Sequence, residues 1–312
     1  MSRKIVIIPE FAASHLLKCW IPNMIQTINP DIIIINSGLF PNGPENKGHV
    51  DEVFREKWCY KNTNAGFDYD DTLDIVTKWT TDKYAGNVTI PHIECRIINY
   101  DIKDANNCFI KAISMPELFA EGDIIFPIEP DAFIYEGDMD IINEEISKLK
   151  PGEGIQCRWV DFLETQYYTE AINLEQPKYR RFCYCFNNIK NYKKAMDGFM
   201  SQSYPKLKKT ESFFVRHYPW FVYDKWKELR YDLIYRSDPQ YWKNFEKGLQ
   251  EIRNVKVWDR INHVDGSITD IRNRDIPERI TIRPSRQDAG RYAQFIDVEH
   301  PEAIKNHPNY VR

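Results

Sequence analysis

Two unbroken β-branched runs, Ile5-Val6-Ile7-Ile8 and Ile32-Ile33-Ile34-Ile35, constrain this chain more than any other feature. A run that is apolar at every position suits a strand covered on both faces, as in a parallel sheet. Between the runs, Leu16, Leu17, Trp20, Ile21, Met24, Ile25 and Ile28 recur at helical spacing. Ser14 is the predicted N-cap, and Pro22 is expected to kink or split the helix. The opening therefore predicts a right-handed β-α-β unit. Ligands of such sheets bind beyond the carboxyl ends of the strands, here near Pro9, Glu10, Asn36 and Gly38. Strand ends also carry Pro, Asn and Gly simply to turn, so placement alone marks these four as pocket residues.

Residues 41–71 are polar and rich in Gly, Pro, Asn and Asp. A segment of that length inside a compact domain reads as a functional loop or lid. A helix around 73–79, a strand around 88–98 and a helix over 104–119 follow. Residues 124–129 form a predicted strand near the middle of the sheet, 141–149 a short amphipathic helix, and 155–162 another strand. Beyond these, 180–186 and 213–215 read as strands, and 223–236 and 240–252 as helices. A seam at 149–154 divides the chain into predicted halves, 1–150 and 151–312.

Composition excludes several classes. With 42% hydrophobic residues the chain has material for a sizeable core. A net charge of −4 argues against a nucleic-acid coat or a polybasic membrane binder, though a local basic patch leaves a nucleic-acid acceptor open. The seven cysteines are scattered and lack paired metal spacing; Cys183 and Cys185 are a poor zinc hook, and free thiols are expected. The first apolar run is too short for a signal peptide, and no later stretch reaches membrane-spanning length. The expectation is a soluble, cytoplasmic protein.

The most informative segment runs from Ala120 to Ile146. A buried strand ends in two acids one residue apart, Glu129 and Asp131, with Glu136 and Asp138 close behind. Acids at the mouth of a sheet can hold a hard divalent cation through oxygen, and the cation can neutralise a diphosphate. A solvated acidic turn is the plainer alternative. Farther on, Asp161 and Glu164 follow a predicted strand and are candidates for the general base that takes a proton from an attacking hydroxyl. Both also fit as solvated loop acids. Asp161 stands beside two aromatic residues, Trp159 and Phe162. Arg272, Arg274, Arg279, Arg283, Arg286 and Arg291 suit either a phosphate grip or a solvated surface. His263 and His300 read as structural.

The stretch from Asn106 to Glu136 resembles the core of family-2-type GT-A glycosyltransferases. Asn106-Asn107 stands where those enzymes open a helix, Glu121-Gly122-Asp123-Ile124-Ile125 matches the following small residue-Gly-Asp-strand step, and Glu129-Pro130-Asp131 stands at their D-x-D pair, with Glu129 in place of the first aspartate. His217-Tyr218-Pro219-Trp220 is similar to a second-half H-aromatic-G-aromatic segment whose histidine completes a metal site, with Pro219 in place of glycine. A histidine packed among aromatics is the competing reading. The resemblance implies an α/β, GT-A-like fold: a mainly parallel central sheet flanked by helices, a mixed acceptor-side half and a C-terminal extension. It implies a nucleoside-diphosphate sugar donor, Mn²⁺ or Mg²⁺ held by Glu129, Asp131 and His217, and a glycan or other hydroxyl-bearing acceptor. Pro9, Glu10, Asn36 and Gly38 would then cup the nucleoside, with Asp104 or Asn107 reaching ribose or diphosphate. Asp123 would be a turn residue.

Two other functions remain open on the sequence. A nucleotidyltransferase-like enzyme would prefer a Gly-rich, Lys-bearing loop after the first strand, which Pro9-Glu10-Phe11-Ala12-Ala13 lacks. A non-catalytic carbohydrate- or partner-binding protein of the same fold draws support from Glu129 replacing the usual aspartate.

Overall fold

The computed structural model describes residues 2–10, 14–37, 56–57, 61–62, 67–68, 75, 119–162, 168–170, 178–197, 207–218, 260–262, 268–270, 293–295, 298–307 and 310. Strand β1 (Lys4–Glu10), helix α1 (Ser14–Gln26) and strand β2 (Ile32–Ser37) open the chain. Two-residue strands β3 (Lys61–Asn62) and β4 (Phe67–Asp68) pair with each other. Then come β5 (Ile124–Pro127), β6 (Ala132–Phe133), a 3₁₀ turn at Glu136–Asp138 and α2 (Met139–Ser147). β7 (Gly154–Asp161), β8 (Tyr168–Glu170), β9 (Lys178–Cys185), α3 (Ile189–Asp197) and β10 (Leu207–His217) follow. Short strands β11 (Arg260–Asn262), β12 (Ile268–Asp270) and β13 (Ala293–Phe295) and a 3₁₀ turn at Glu302–Asn306 complete the described chain.

Seven strands form the central sheet in the order β2-β1-β5-β9-β7-β10-β6. The α/β class is as expected, but the sheet is mixed rather than mainly parallel. β1 is parallel to β2 and β5, and β7 to β10, while β9 is antiparallel to both β5 and β7, and β6 to β10. Residue pattern marks a strand but not the direction in which it pairs, so periodicity could not reveal the reversal of β9. Since β9 is antiparallel to both neighbours, β2, β1, β5, β7 and β10 still point one way. Their carboxyl ends share one edge of the sheet.

Both faces of the opening strands are covered, as their runs require. Val6 and Ile8 join one core cluster with Leu16, Leu17, Trp20 and Met24 of α1, and Ile5 and Ile7 join a second with Ile125, Tyr184 and Tyr192. β5 lies inside the sheet between β1 and β9, as predicted. Pro22 does not split α1, which runs on to Gln26. Proline lacks the N–H that a helix interior normally uses, yet one such residue is tolerated here in a helix of 13 residues. Asn29, at φ 47°, then ends the helical turn with its N–H on the Met24 carbonyl. β10 is much longer than the three residues expected, because Lys208, Lys209, Glu211 and Ser212 are exposed and break the apolar pattern.

The turn before β5 rests on two residues. Gly122 sits at φ 93°, a conformation that suits glycine. Asp123 accepts a hydrogen bond from Ala120 N–H at 2.8 Å and pairs with Arg3 at 2.6 Å, so it works as a turn residue. At the far end of β6, fully buried Asn23 of α1 clamps Ile134: its Nδ2 donates to the Ile134 carbonyl at 2.8 Å, and its Oδ1 accepts from Ile134 N–H at 2.9 Å. Asn23→Ala strands both backbone groups. The expected loss is roughly 2–4 kcal/mol of unfolding free energy, read as a lower urea midpoint at unchanged slope.

Candidate metal centre

The strand order reverses at β1, which has β2 on one side and β5 on the other. Crevices beyond the carboxyl ends at such a point are where open α/β sheets hold ligands. Pro9 pairs with Asn36 and Glu10 with Ser37 at that edge, so the predicted mouth residues of β1 and β2 are side by side. Gly38, Asp104, Asn107 and Glu164 lie outside the described residues, as do His263, the arginine cluster at 272–291, and the helices predicted at 223–236 and 240–252.

The acid pair is delivered by β5. Ile128 N–H extends the ladder to the Ile7 carbonyl at 3.1 Å, and the chain then turns, closed by Ala132 N–H on the Glu129 carbonyl at 3.1 Å. Pro130 holds the second position of this turn, where its fixed φ is favourable. The chain next enters β6, which pairs with the end of β10: His217 faces Ala132 there, and Tyr218 N–H donates to the Asp131 carbonyl at 2.7 Å. On its other side β10 is parallel to β7, with His217 facing Asp161 and Phe162 N–H donating to the His217 carbonyl at 2.7 Å. Backbone pairing alone therefore gathers Asp131, Asp161 and His217.

Their side chains meet. His217 Nδ1 lies 2.7 Å from Asp161 Oδ1, while Nε2 faces Asp131 Oδ1 at 3.2 Å and Glu129 Oε2 at 3.4 Å. The Nε2 atom is buried and lacks a hydrogen bond of good geometry. One ligand atom each from Glu129, Asp131 and His217 lies within 4.8 Å of the others. Two carboxylate oxygens and an imidazole nitrogen form a donor set that suits Mn²⁺, so the residues present fit a divalent cation. Burial alone would lower the His217 pKa. The carboxylates of Asp131, Asp161 and Glu129 outweigh it and hold the pKa well above its ordinary value.

Arg180 of β9 completes the cluster and was not singled out from the sequence. Its guanidinium lies 3.8 Å from Glu129 Oε2 and 4.0 Å from Asp161 Oδ1, and 4.9 Å from the centre of the Trp159 ring. An arginine early in a strand becomes visible as a site residue only once the strand is known to run antiparallel, which brings its beginning to the mouth. Trp159 also packs 5.3 Å from the His217 ring and is 3% exposed, and Phe162 is fully buried. Both rings beside Asp161 are therefore packed into the interior. His300 is structural, as expected: its Nδ1 bonds the Tyr218 hydroxyl at 2.6 Å. Cys183 and Cys185 are buried, free thiols, and burial pushes the Cys185 pKa up to about 11.

No protein-family model and no curated protein matches the chain. Among solved structures it is similar to the crystal structure of S. aureus TarS, with a TM-score of 0.36 and 11% identity over 74% of this chain and 38% of that one. It is also similar to S. aureus TarS 1-349, with a TM-score of 0.38 and 9% identity over 74% of this chain and 63% of that one. The chain thus spans less than two thirds of either. Superpositions this loose carry no weight for activity, which rests on the chain's own residues. Among the described residues no helix is long and apolar enough to cross a membrane.

A pH test follows from the three acids around His217. Its folded pKa lies well above the ordinary imidazole value of 6.5, so the imidazolium stabilises the cation-free protein fully below that value. That contribution is lost as pH rises through the folded pKa. In chelator, the urea-midpoint gap between the parent and His217→Gln should be widest below about pH 6.5 and shrink as pH rises above it. A gap that is constant or widens with pH would contradict the charge assignment.

Proposed function

We propose that the chain is a glycosyltransferase that moves a sugar from a nucleoside-diphosphate donor to a hydroxyl acceptor, using Mn²⁺ or Mg²⁺ held by Glu129, Asp131 and His217. The observation that carries this reading is the convergence of those three side chains at the sheet edge where five strands end. A cation bound there supplies positive charge against the diphosphate that leaves as the sugar is transferred. Asp131 and Glu129 offer oxygens and His217 its Nε2, while Arg180 adds a fixed positive charge beside them. The nucleoside occupies the neighbouring mouth at the ends of β1 and β2, near Pro9 and Asn36. In this reading residues 1–150 serve the donor and 151–312 the acceptor, on a GT-A-like plan.

The test is metal-dependent hydrolysis of a panel of nucleotide sugars, with calorimetry of UDP and GDP with and without Mn²⁺. Turnover of at least one donor, and nucleotide binding that strengthens with Mn²⁺, are expected. Asp131→Ala and His217→Ala should each abolish the metal-stimulated rate with the fold intact, while Glu129→Asp keeps a carboxylate and is tolerated. Failure of every nucleoside diphosphate to bind, with or without metal, would remove the reading.

A further inference from the structure

Asp161 entered as a candidate general base, yet its position describes a different task. It is the last residue of β7 and the register partner of His217, the last residue of β10. Partners in register on adjacent strands project to the same face of a sheet. The resulting contact, Asp161 Oδ1 to His217 Nδ1 at 2.7 Å, is the shortest made by this imidazole. An ionised carboxylate can only accept, so the proton of this bond belongs to Nδ1. Nδ1–H fixed on Asp161 leaves Nε2, on the opposite side of the ring, facing Glu129 and Asp131. The ring cannot rotate freely, since Trp159 packs 5.3 Å away and His217 is 6% exposed.

We infer that Asp161 is a positioning residue: by accepting the Nδ1–H of His217 it fixes the tautomer and aim of the imidazole, so that Nε2 is presented as a metal ligand beside Glu129 and Asp131. The inference rests on the proposed cation site. A carboxylate behind a ligating imidazole fixes its orientation and raises its basicity, and losing such a partner commonly weakens metal binding by about 10–100-fold. Arg180, 4.0 Å from the same Oδ1, offsets part of the carboxylate's charge without replacing the bond to the ring.

Mn²⁺ titration of the whole chain, followed by the paramagnetic resonance of free Mn²⁺, tests this without any need for turnover. Asp161→Ala should bind Mn²⁺ about 10–100-fold more weakly than the parent. Asp161→Asn, whose side-chain oxygen can accept the same hydrogen bond, should recover most of that loss. Asp161→Leu fills the same space without an acceptor and serves if Asp161→Ala does not fold, with near-ultraviolet circular dichroism reporting on each variant. Undiminished binding by Asp161→Ala or Asp161→Leu, in a parent that binds Mn²⁺, would overturn the positioning role alone. Equal weakness of Asp161→Asn and Asp161→Ala would overturn it too, since charge rather than the hydrogen bond would then matter. A parent that binds no Mn²⁺ would overturn the cation site and this role together.

Discussion

Two backbone hydrogen bonds, Tyr218 N–H to the Asp131 carbonyl and Phe162 N–H to the His217 carbonyl, bind three distant stretches of chain at one corner of the sheet. They continue the ladders of β10 with β6 and β7, so the corner is an extension of the sheet rather than a loop that must be ordered separately. Loops pay conformational entropy for every residue they fix, whereas here the ordering is shared with the core. Because side chains at a ladder's end inherit the pleat, setting the register also sets which groups meet. A slip of one residue in β10 would turn Arg216 or Tyr218 towards the acids and remove the imidazole from the mouth.

The electrostatics of that corner are unbalanced by design of the register. Glu129, Asp131 and Asp161 approach one imidazole and one guanidinium. Acids this close repel each other, and partial burial deepens the cost. The protein alone offsets it by drawing a proton onto His217 and by laying Arg180 across Trp159. A divalent cation among the same oxygens would take over that offset and displace the proton from Nε2, since metal and proton compete for one lone pair. The imidazole thus links the resting charge balance to the proposed chemistry.

Much of this was legible in the sequence, for reasons that differ by element. The unbroken apolar runs of β1, β2 and β5 announced buried strands, and an acid pair directly after such a run could only stand at a strand's end. The meeting of His217 with Asp131 was reached through a resemblance in motif; nothing in spacing or periodicity carries a contact between such distant residues. Arg180 and the bond from Asp161 to His217 were not legible, because both depend on strand direction and register. The full length of β10 was hidden by its exposed lysines and by the register break between Thr210 and Phe214.

Strand alternation explains how the corner keeps its shape. Arg216 and Tyr218 flank His217 in sequence and so project away from it, and Phe162 does the same next to Asp161. These residues form the rear wall. Tyr218 stacks on Phe162 at 5.1 Å, meets Phe133 edge-on at 5.5 Å, and shares a hydrogen bond between its hydroxyl and His300 Nδ1. Arg216, buried, donates to the Glu299 carbonyl at 2.7 Å and to Asp138 at 2.9 Å, tying β10 to the 3₁₀ turn after β6 and to the C-terminal segment. That segment returns to α1, where the His307 and His15 rings lie 5.5 Å apart. Aromatic area and buried hydrogen bonds resist the repulsion of the acids on the front face, and dispersion contacts of this kind do not weaken when a charge is added or removed. The same residues that turn their polar neighbours outward thus brace the acid cluster from behind, and such bracing is what the proposed stabilisation of a leaving diphosphate would call for.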